Sequence, residues 1–465
     1  MAPLLLTVGI VSVEPARAGV LLLVAGLAGV LVVCGLTFPV AAVVMLLAAQ
    51  FLRLPLSGVF PADPFLPAFV GVLGAATIAL SRPTAPQVRL GVVEVVMALY
   101  VLWNIYSMVL PHHYAAKIPL TGEEYSTWRL VLVGTVIPFT LYSVGRYVIS
   151  GERAVRCLLW VVLGFTAYSA AVSHLQIFGP TSLVWPRYIL DTAWSGRAVG
   201  IVNQPVANGL VLVVGFVVAL LLAAHSTRWT ARAGALLIGA AAAYGVLLTY
   251  TRAVWLAFAV VLVIGAVFAT RFRAGFLLTA FGAVTLIAAN WSTFLSADRS
   301  AGGIGSAGEL EDRLNIIATS LWAIEQQPFV GWGIGRFVVV NTYHHQQWSW
   351  DTPWQRGFGL SSHFNELGIG AELGLVGLAL WCAVLVLVAA RLVRALRVLR
   401  GPGLVGRGLA VLAMSSFAAL ICAGFTVDLR FLDFPSTMVM VLAGLAVGFS
   451  DRVPEPVPFT AGIGR

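Results

Sequence analysis

At 465 residues, 60% hydrophobic and only 10% charged, the chain is too apolar for a water-soluble globular protein, in which about a quarter of residues are charged. The net charge of +9 falls largely in short loops between apolar runs, the pattern of membrane orientation and not of nucleic-acid binding. Both a soluble enzyme and a nucleic-acid partner are thereby excluded.

The apolar runs are about 17 to 25 residues long, enough for a helix to cross roughly 30 Å of hydrocarbon. The fold expected is all-α: a polytopic transmembrane helical bundle of about 12–13 spans with a large extracytoplasmic loop that contains amphipathic helix. Leu4 to Val13 is too short to span and lacks the basic flank of a cleaved signal, so it is expected to be retained. Apolar windows then place spans at 19–36, 38–52, 65–80, 91–110, 129–149, 154–175, 206–224, 232–249, 253–270 and 274–291. Together they make an N-terminal transmembrane region over 1–291.

Residues 292–362 interrupt the spans. Within them Glu309 to Gln327 carries Leu310, Leu314, Ile317, Leu321 and Ile324 at helical spacing, the pattern of a helix lying on the membrane surface or capping the bundle. Spans at 366–390, 405–426 and 434–450 form the C-terminal region, 363–452, and a Pro-rich tail over 453–465 is expected to be flexible.

Arginine sets the orientation. Arg391, Arg394, Arg397, Arg400 and Arg407 crowd one short connection, which the positive-inside rule puts in the cytoplasm. Counting back, the loops with Arg271 and Arg273, Arg228 and Arg232, Arg153 and Arg156, and Arg82 and Arg89 fall on the same side, and 292–362 falls on the other. Lys117 is the single lysine, and the excess of Arg, Ala, Val, Gly and Leu suggests a GC-rich bacterial genome. Cys34, Cys157, Cys382 and Cys422 lie within apolar runs without metal-site or disulfide spacing and read as small core hydrophobes.

Four stretches share the outer side. SGRAVGIVNQPVANG supplies Arg197, with Asn203 as a candidate helix cap before Pro205. TYTRAVW places Arg252 at a span's N-terminus, where free N–H groups already favour anions. Arg313 sits on the amphipathic segment ahead of a Gly-rich turn, Gly331 to Gly335, although Glu309 four residues earlier would also explain it as an ordinary helix pair. SSHFNELGIGAELGLVG brings His363. The planar guanidinium fork suits phosphate, and an imidazole near neutrality suits proton abstraction from a hydroxyl. Arg430, flanked by Asp428 and Asp433, is expected to pair locally, and Glu372, about half a turn out of phase with His363, is not paired with it. His112, His113, His344 and His345 are left without a role; Trp185, Trp194, Trp348, Trp350 and Trp354 fit an interfacial belt or sugar stacking.

These motifs in this order, with P-x-x-G-x-G-x-x-x-F from Pro328 and H-x8-E-x-G-L-x-G from His363, resemble the bacterial O-antigen ligase and O-antigen polymerase superfamily over about Arg197 to Gly377. Where many relatives follow this histidine with asparagine, Phe364 stands here and Asn365 comes one later. The resemblance implies a multi-pass glycosyltransferase of the bacterial inner (cytoplasmic) membrane with its site facing the periplasm or cell exterior. It implies transfer of a glycan from undecaprenyl pyrophosphate to an acceptor hydroxyl on a lipid, glycan or protein, with inversion and without metal or other cofactor. Arg197 and Arg252 would hold the pyrophosphate, Arg313 would assist, and His363 would deprotonate the acceptor. A polysaccharide polymerase using the same donor is the alternative within the superfamily. A polyprenyl-linked glycan transporter or flippase is the alternative outside it, disfavoured because the charges gather at one rim instead of mid-membrane.

Overall fold

The computed structural model describes residues 33, 38–57, 63–83, 88–194, 196–296 and 308–453. The segment Leu4 to Val13, Cys34, the tail from residue 454 and the expected span 19–36 apart from Val33 lie outside the described residues. Among those described, regular structure is helical, with one isolated bridge between Lys117 and Glu124. The chain divides into two compact units, Met1–Gln87 and Val88–Arg465.

In the first unit α1 (Pro39–Phe51) and α2 (Phe65–Leu80) pack on each other, and Arg53 is paired with Asp63 at 2.6 Å. The second unit holds α3 (Val92–Val109), α4 (Thr127–Tyr147, with one wider turn at Leu132–Val136), α5 (Glu152–Phe178), α6 (Pro205–His225), α7 (Trp229–Leu248), α8 (Arg252–Phe268) and α9 (Arg273–Ala289). After these come α10 (Gly308–Gln326), the short α11 (Phe337–Tyr343), α12 (Asn365–Val398), α13 (Leu404–Gly424) and α14 (Asp433–Asp451). Eight described helices are long and apolar enough to span: α3 to α7 and α12 to α14. α1, α2, α8 and α9 are shorter apolar helices of 10–17 residues that sit where the sequence places spans.

The core of the second unit is built on α6. Its sequence is apolar all round, as a helix surrounded by others requires, and its apolar stretch is wholly buried among α5, α7, α8 and α13. α4 and α14 approach backbone to backbone at Gly444 and Gly448, where a Cβ would come within 2.0 Å of the Tyr142 carbonyl oxygen and 2.3 Å of that of Arg146. Cys157 and Cys382 do not join this core. Both are exposed on helix surfaces that turn outward from the bundle, where a thiol is as compatible with hydrocarbon as it would be inside.

α10 buries a different stripe from the one its leucines predict. Asn315, Ile316, Thr319, Ser320 and Ala323 face the protein, while Leu310 and Leu321 are 57% and 50% exposed. The polar members can be buried because they are satisfied. Asn315 donates to the carbonyls of Pro353 and Arg356 at 3.0 Å and accepts from the Trp348 N–H, and the hydroxyls of Thr319 and Ser320 bond back to carbonyls one turn earlier.

α12 is broken at Gly374 (φ 68°, ψ −176°), a region of backbone space open essentially to glycine alone. The break sits in the longest apolar helix, where no water is at hand for the freed groups. The loop from Pro328 to Gly335 satisfies them. The N–H of Trp332 donates to Ala371 O at 2.9 Å and that of Gly333 to Glu372 O at 2.8 Å; Leu375 N donates to Pro328 O at 2.7 Å, and Trp103 Nε1 reaches Leu373 O at 2.9 Å. A Cβ on Gly374 would stand 2.2 Å from the Phe329 carbonyl oxygen.

Gly374→Ala should therefore lower the thermal stability of the protein in detergent by at least about 1–3 kcal/mol, from backbone strain alone. Gly164→Ala on α5, where a Cβ meets nothing within 4 Å, should be neutral or slightly stabilising. Unfolding followed by tryptophan fluorescence separates the two; equal effects would show that the break at Gly374 is not under this constraint.

Candidate functional site

The N-terminal ends of α6, α8 and α12 and the C-terminal end of α13 meet at one end of the bundle, around a cavity of about 340 Å³. Its lining includes Trp194, Arg197, Gln204, Thr251, Glu309, Asp312, Arg313, His363 and Thr426. Three of the four residues singled out in the sequence line one cavity. The fourth, Arg252, begins α8 directly after the lining residue Thr251, and its charge acts on both Arg197 and Arg313.

Each is placed by identifiable local structure. The Arg197 loop is clamped by Gln176 of α5, whose amide donates to Arg197 O at 2.9 Å and accepts from Val199 N at 3.0 Å, and by Ala198 N, which donates to Leu248 O at the end of α7. Asn203 does not cap α6: it adopts a left-handed conformation (φ 51°), and Gln204 supplies the cap through its side-chain oxygen, which accepts from Ala207 N at 2.6 Å. Extended Thr251 turns the chain into α8. Arg313 rides on α10, which is tied to the loop leading to His363 by Asn315 and by Asp312, whose carboxylate accepts from Gly357 N at 2.9 Å. Asn341 of α11 holds the same loop by donating to the carbonyls of Gly357 and Leu360.

The electrostatics are those of a site short of negative charge. Glu309 pairs with Arg197 at 3.2 Å, across the cavity from the helix partner its spacing suggests, and Arg197 also stacks over the Trp194 ring at 5.3 Å. Arg313 forms no ion pair among the described residues. Burial and the nearby Arg252 guanidinium push the pKa of both Arg197 and Arg313 below the ordinary arginine value. Arginine remains charged regardless, so an anion in the cavity would be favoured.

His363 stands two residues before α12 and forms no hydrogen bond among the described residues, which leaves both ring nitrogens open to a ligand. Burial first, then Arg313, push its pKa down, and Asp312 pulls it partly back. The shift favours the neutral imidazole, the form that can accept a proton.

Sequence reasoning missed Glu309 as the partner of Arg197, and missed Asp312 beside His363; the signal was the acidic run before Arg313, read along one helix instead of across the cavity. The other motif residues are structural. Glu372 is 3% exposed and accepts from the N–H groups of Gly335 (3.0 Å) and Phe337 (2.9 Å) at the start of α11. Arg430, 5% exposed, pairs with Glu372 at 2.7 Å and with Asp428 through Nε at 2.9 and 3.1 Å. Asn365 is buried and accepts from Leu429 N at 3.0 Å. His344 bonds the Tyr114 hydroxyl and stacks on Trp322, and His345 bonds Asn341 and the Trp354 carbonyl. His112 bonds the Ser107 carbonyl.

Compared with known proteins, residues 236–382 match the family model described as O-antigen ligase. None of the curated proteins matches the chain. The matched stretch takes in Arg252, Arg313, His363, Glu372 and Gly374 and leaves Arg197 and Arg430 outside.

Removing the positive charge of Arg313 relieves the penalty on imidazolium, so in Arg313→Gln His363 should titrate at higher pH than in the wild type. In Asp312→Asn it should titrate lower. Imidazole shifts of histidine-labelled protein, with His363→Ala to assign the signal, give the order; identical titrations in all three would show that neither charge reaches the ring.

Proposed function

From the O-antigen ligase domain carried over residues 236–382, which belongs to the ligase and polymerase superfamily, we propose that the cavity transfers a glycan from undecaprenyl pyrophosphate to an acceptor hydroxyl. The observation that carries this reading is the convergence of Arg197, Arg252 and Arg313 with an unpartnered His363 around one cavity.

The chemistry follows from those groups. The acceptor oxygen attacks the anomeric carbon as its proton passes to His363, and the bond from that carbon to the pyrophosphate oxygen breaks with its electron pair on the leaving group. One displacement inverts the anomeric configuration. Arg197 and Arg252 hold the diphosphate and Arg313 assists, so fixed guanidinium groups meet the charge that grows on the leaving oxygen, and no metal is required in this scheme. The partly buried cavity strengthens each of these interactions relative to water. Ligase and polymerase share this donor and differ in acceptor: a lipid, a protein or a growing glycan.

The transport reading is weakened by position. Arg252 is the first residue of α8 and His363 precedes α12, so both lie at helix ends. The break in α12, the kind of feature a transporter uses for its substrate, is filled by the chain's own loop. By the positive-inside rule the cavity opens away from the cytoplasm, on the outer side of a bacterial inner membrane.

Purified protein in liposomes with a lipid-linked glycan, an acceptor and a chelator should release undecaprenyl pyrophosphate, and His363→Ala should slow release by about 100-fold or more. Equal release from both proteins would remove His363 from the chemistry, and release that needs a divalent cation would remove the metal-free scheme.

A further inference from the structure

A second cavity, of about 700 Å³, lies at the opposite end of the same helices. α8, α12 and α13 each place one end at the candidate site and the other here, through Ile264 and Phe268, Val393 to Arg400, and Arg407 with Met414. The walls are Ile264, Phe268, Val393, Leu396 and Met414; the rim is Arg397, Arg400 and Arg407.

The rim arginines differ from their neighbours. Arg391 is paired with Asp451, and Arg394 reaches the same carboxylate at 3.8 Å. Arg397, Arg400 and Arg407 form no ion pair among the described residues. Two of them are held to backbone: Arg407 Nε donates to Phe268 O at 2.9 Å and Arg400 Nε to Arg397 O at 3.0 Å, which fixes the stems at the rim and leaves terminal nitrogens for an anion. The guanidinium groups stand at helix ends, where the apolar walls give way to polar loops.

We propose that this cavity is a binding site for an anionic phospholipid, whose phosphate is held by Arg397, Arg400 and Arg407 while its acyl chains lie against Ile264, Phe268, Val393 and Met414. Three guanidinium groups without an ion-pair partner among the described residues favour an anion, and the apolar walls beside them favour an anion joined to hydrocarbon. A free phosphate meets the first requirement alone, and a zwitterionic lipid neutralises its own phosphate. Basic pockets between membrane helices recognise anionic headgroups in this way. The site is independent of the glycan-transfer reading and shares with it no residue.

The test uses the full-length protein in phosphatidylcholine vesicles with trace spin-labelled phosphatidylglycerol or phosphatidylcholine. The motionally restricted spectrum gives the relative affinity for the two labels. The wild type should prefer phosphatidylglycerol, by roughly fivefold for each arginine engaged. The triple variant Arg397→Gln, Arg400→Gln, Arg407→Gln should bring the preference close to one, and Met414→Trp, which fills the chamber and keeps the charges, should reduce it as well. Arg153→Gln, an exposed residue of the same loop face away from the cavity, should leave it unchanged. No preference in the wild type, or a preference untouched by the triple variant, would overturn the proposal. Loss of the preference in millimolar inorganic phosphate at constant ionic strength would assign the rim to free phosphate instead.

Discussion

Everything at the candidate-site end of the bundle hangs on the way the chain accommodates one broken helix. At Gly374 the backbone of α12 leaves helical space, and the groups this frees are taken up by the loop from Pro328 to Gly335 and by Trp103. In hydrocarbon each such group left unsatisfied would cost several kcal/mol, so the break and the loop exist only together. Glu372, two residues before the break, completes the joint: it holds the first N–H groups of α11 and takes the charge of Arg430, which is also held by Asp428. One cation thus faces two carboxylates in the interior, and the N-terminal dipole of α11 supplies part of the remaining positive field. A buried pair of this kind adds little net stability over an apolar core, but losing one partner is severe, so it acts to fix which arrangement forms.

From that joint the candidate site follows mechanically. α11, held by Glu372, presents Asn341, which grips the loop ahead of His363, and α10 grips the same loop through Asp312 and Asn315 while carrying Arg313. His363 and Arg313 are therefore braced by one set of contacts. Arg197 and Arg252 come from the other wall, placed by the end of α7 and the start of α8. A cavity assembled from two separately braced walls, with positive charge between them, suits the diphosphate of the proposed donor.

Much of this was legible in the sequence, for reasons that can be named. Spans show because hydrocarbon imposes a length and an exclusion of charge that tertiary contacts cannot override; predicted 206–224 against observed Pro205–His225 is typical. Arg197, Arg252, Arg313 and His363 stand out in the sequence because ionisable groups beside apolar runs are costly and therefore rare. What stayed hidden depends on contacts across the fold. The apolar period of α10 named Leu310 and Leu321, but the packed stripe contains Asn315 and Thr319, whose burial depends on partners dozens of residues away. Glu309 lies four residues from Arg313 and pairs with Arg197, 112 residues distant. Asn203 has the better capping side chain by type, yet its left-handed backbone passes the task to Gln204. The E-x-G motif reads as part of a continuous helix; that Glu372 is a joint and Gly374 a break appears only when the Gly-rich loop is seen against them.

The proposed transfer divides the labour: the arginines would bind the diphosphate and the histidine would move the proton. The most direct measurement is the affinity of undecaprenyl pyrophosphate for the protein in nanodiscs, comparing wild type, His363→Ala and the double variant Arg197→Gln, Arg252→Gln. With that division, His363→Ala should bind as the wild type does, whereas the double variant should bind about 100-fold more weakly or worse, since two charge-assisted contacts are lost. Binding undiminished in the arginine variant, or abolished in His363→Ala, would contradict it.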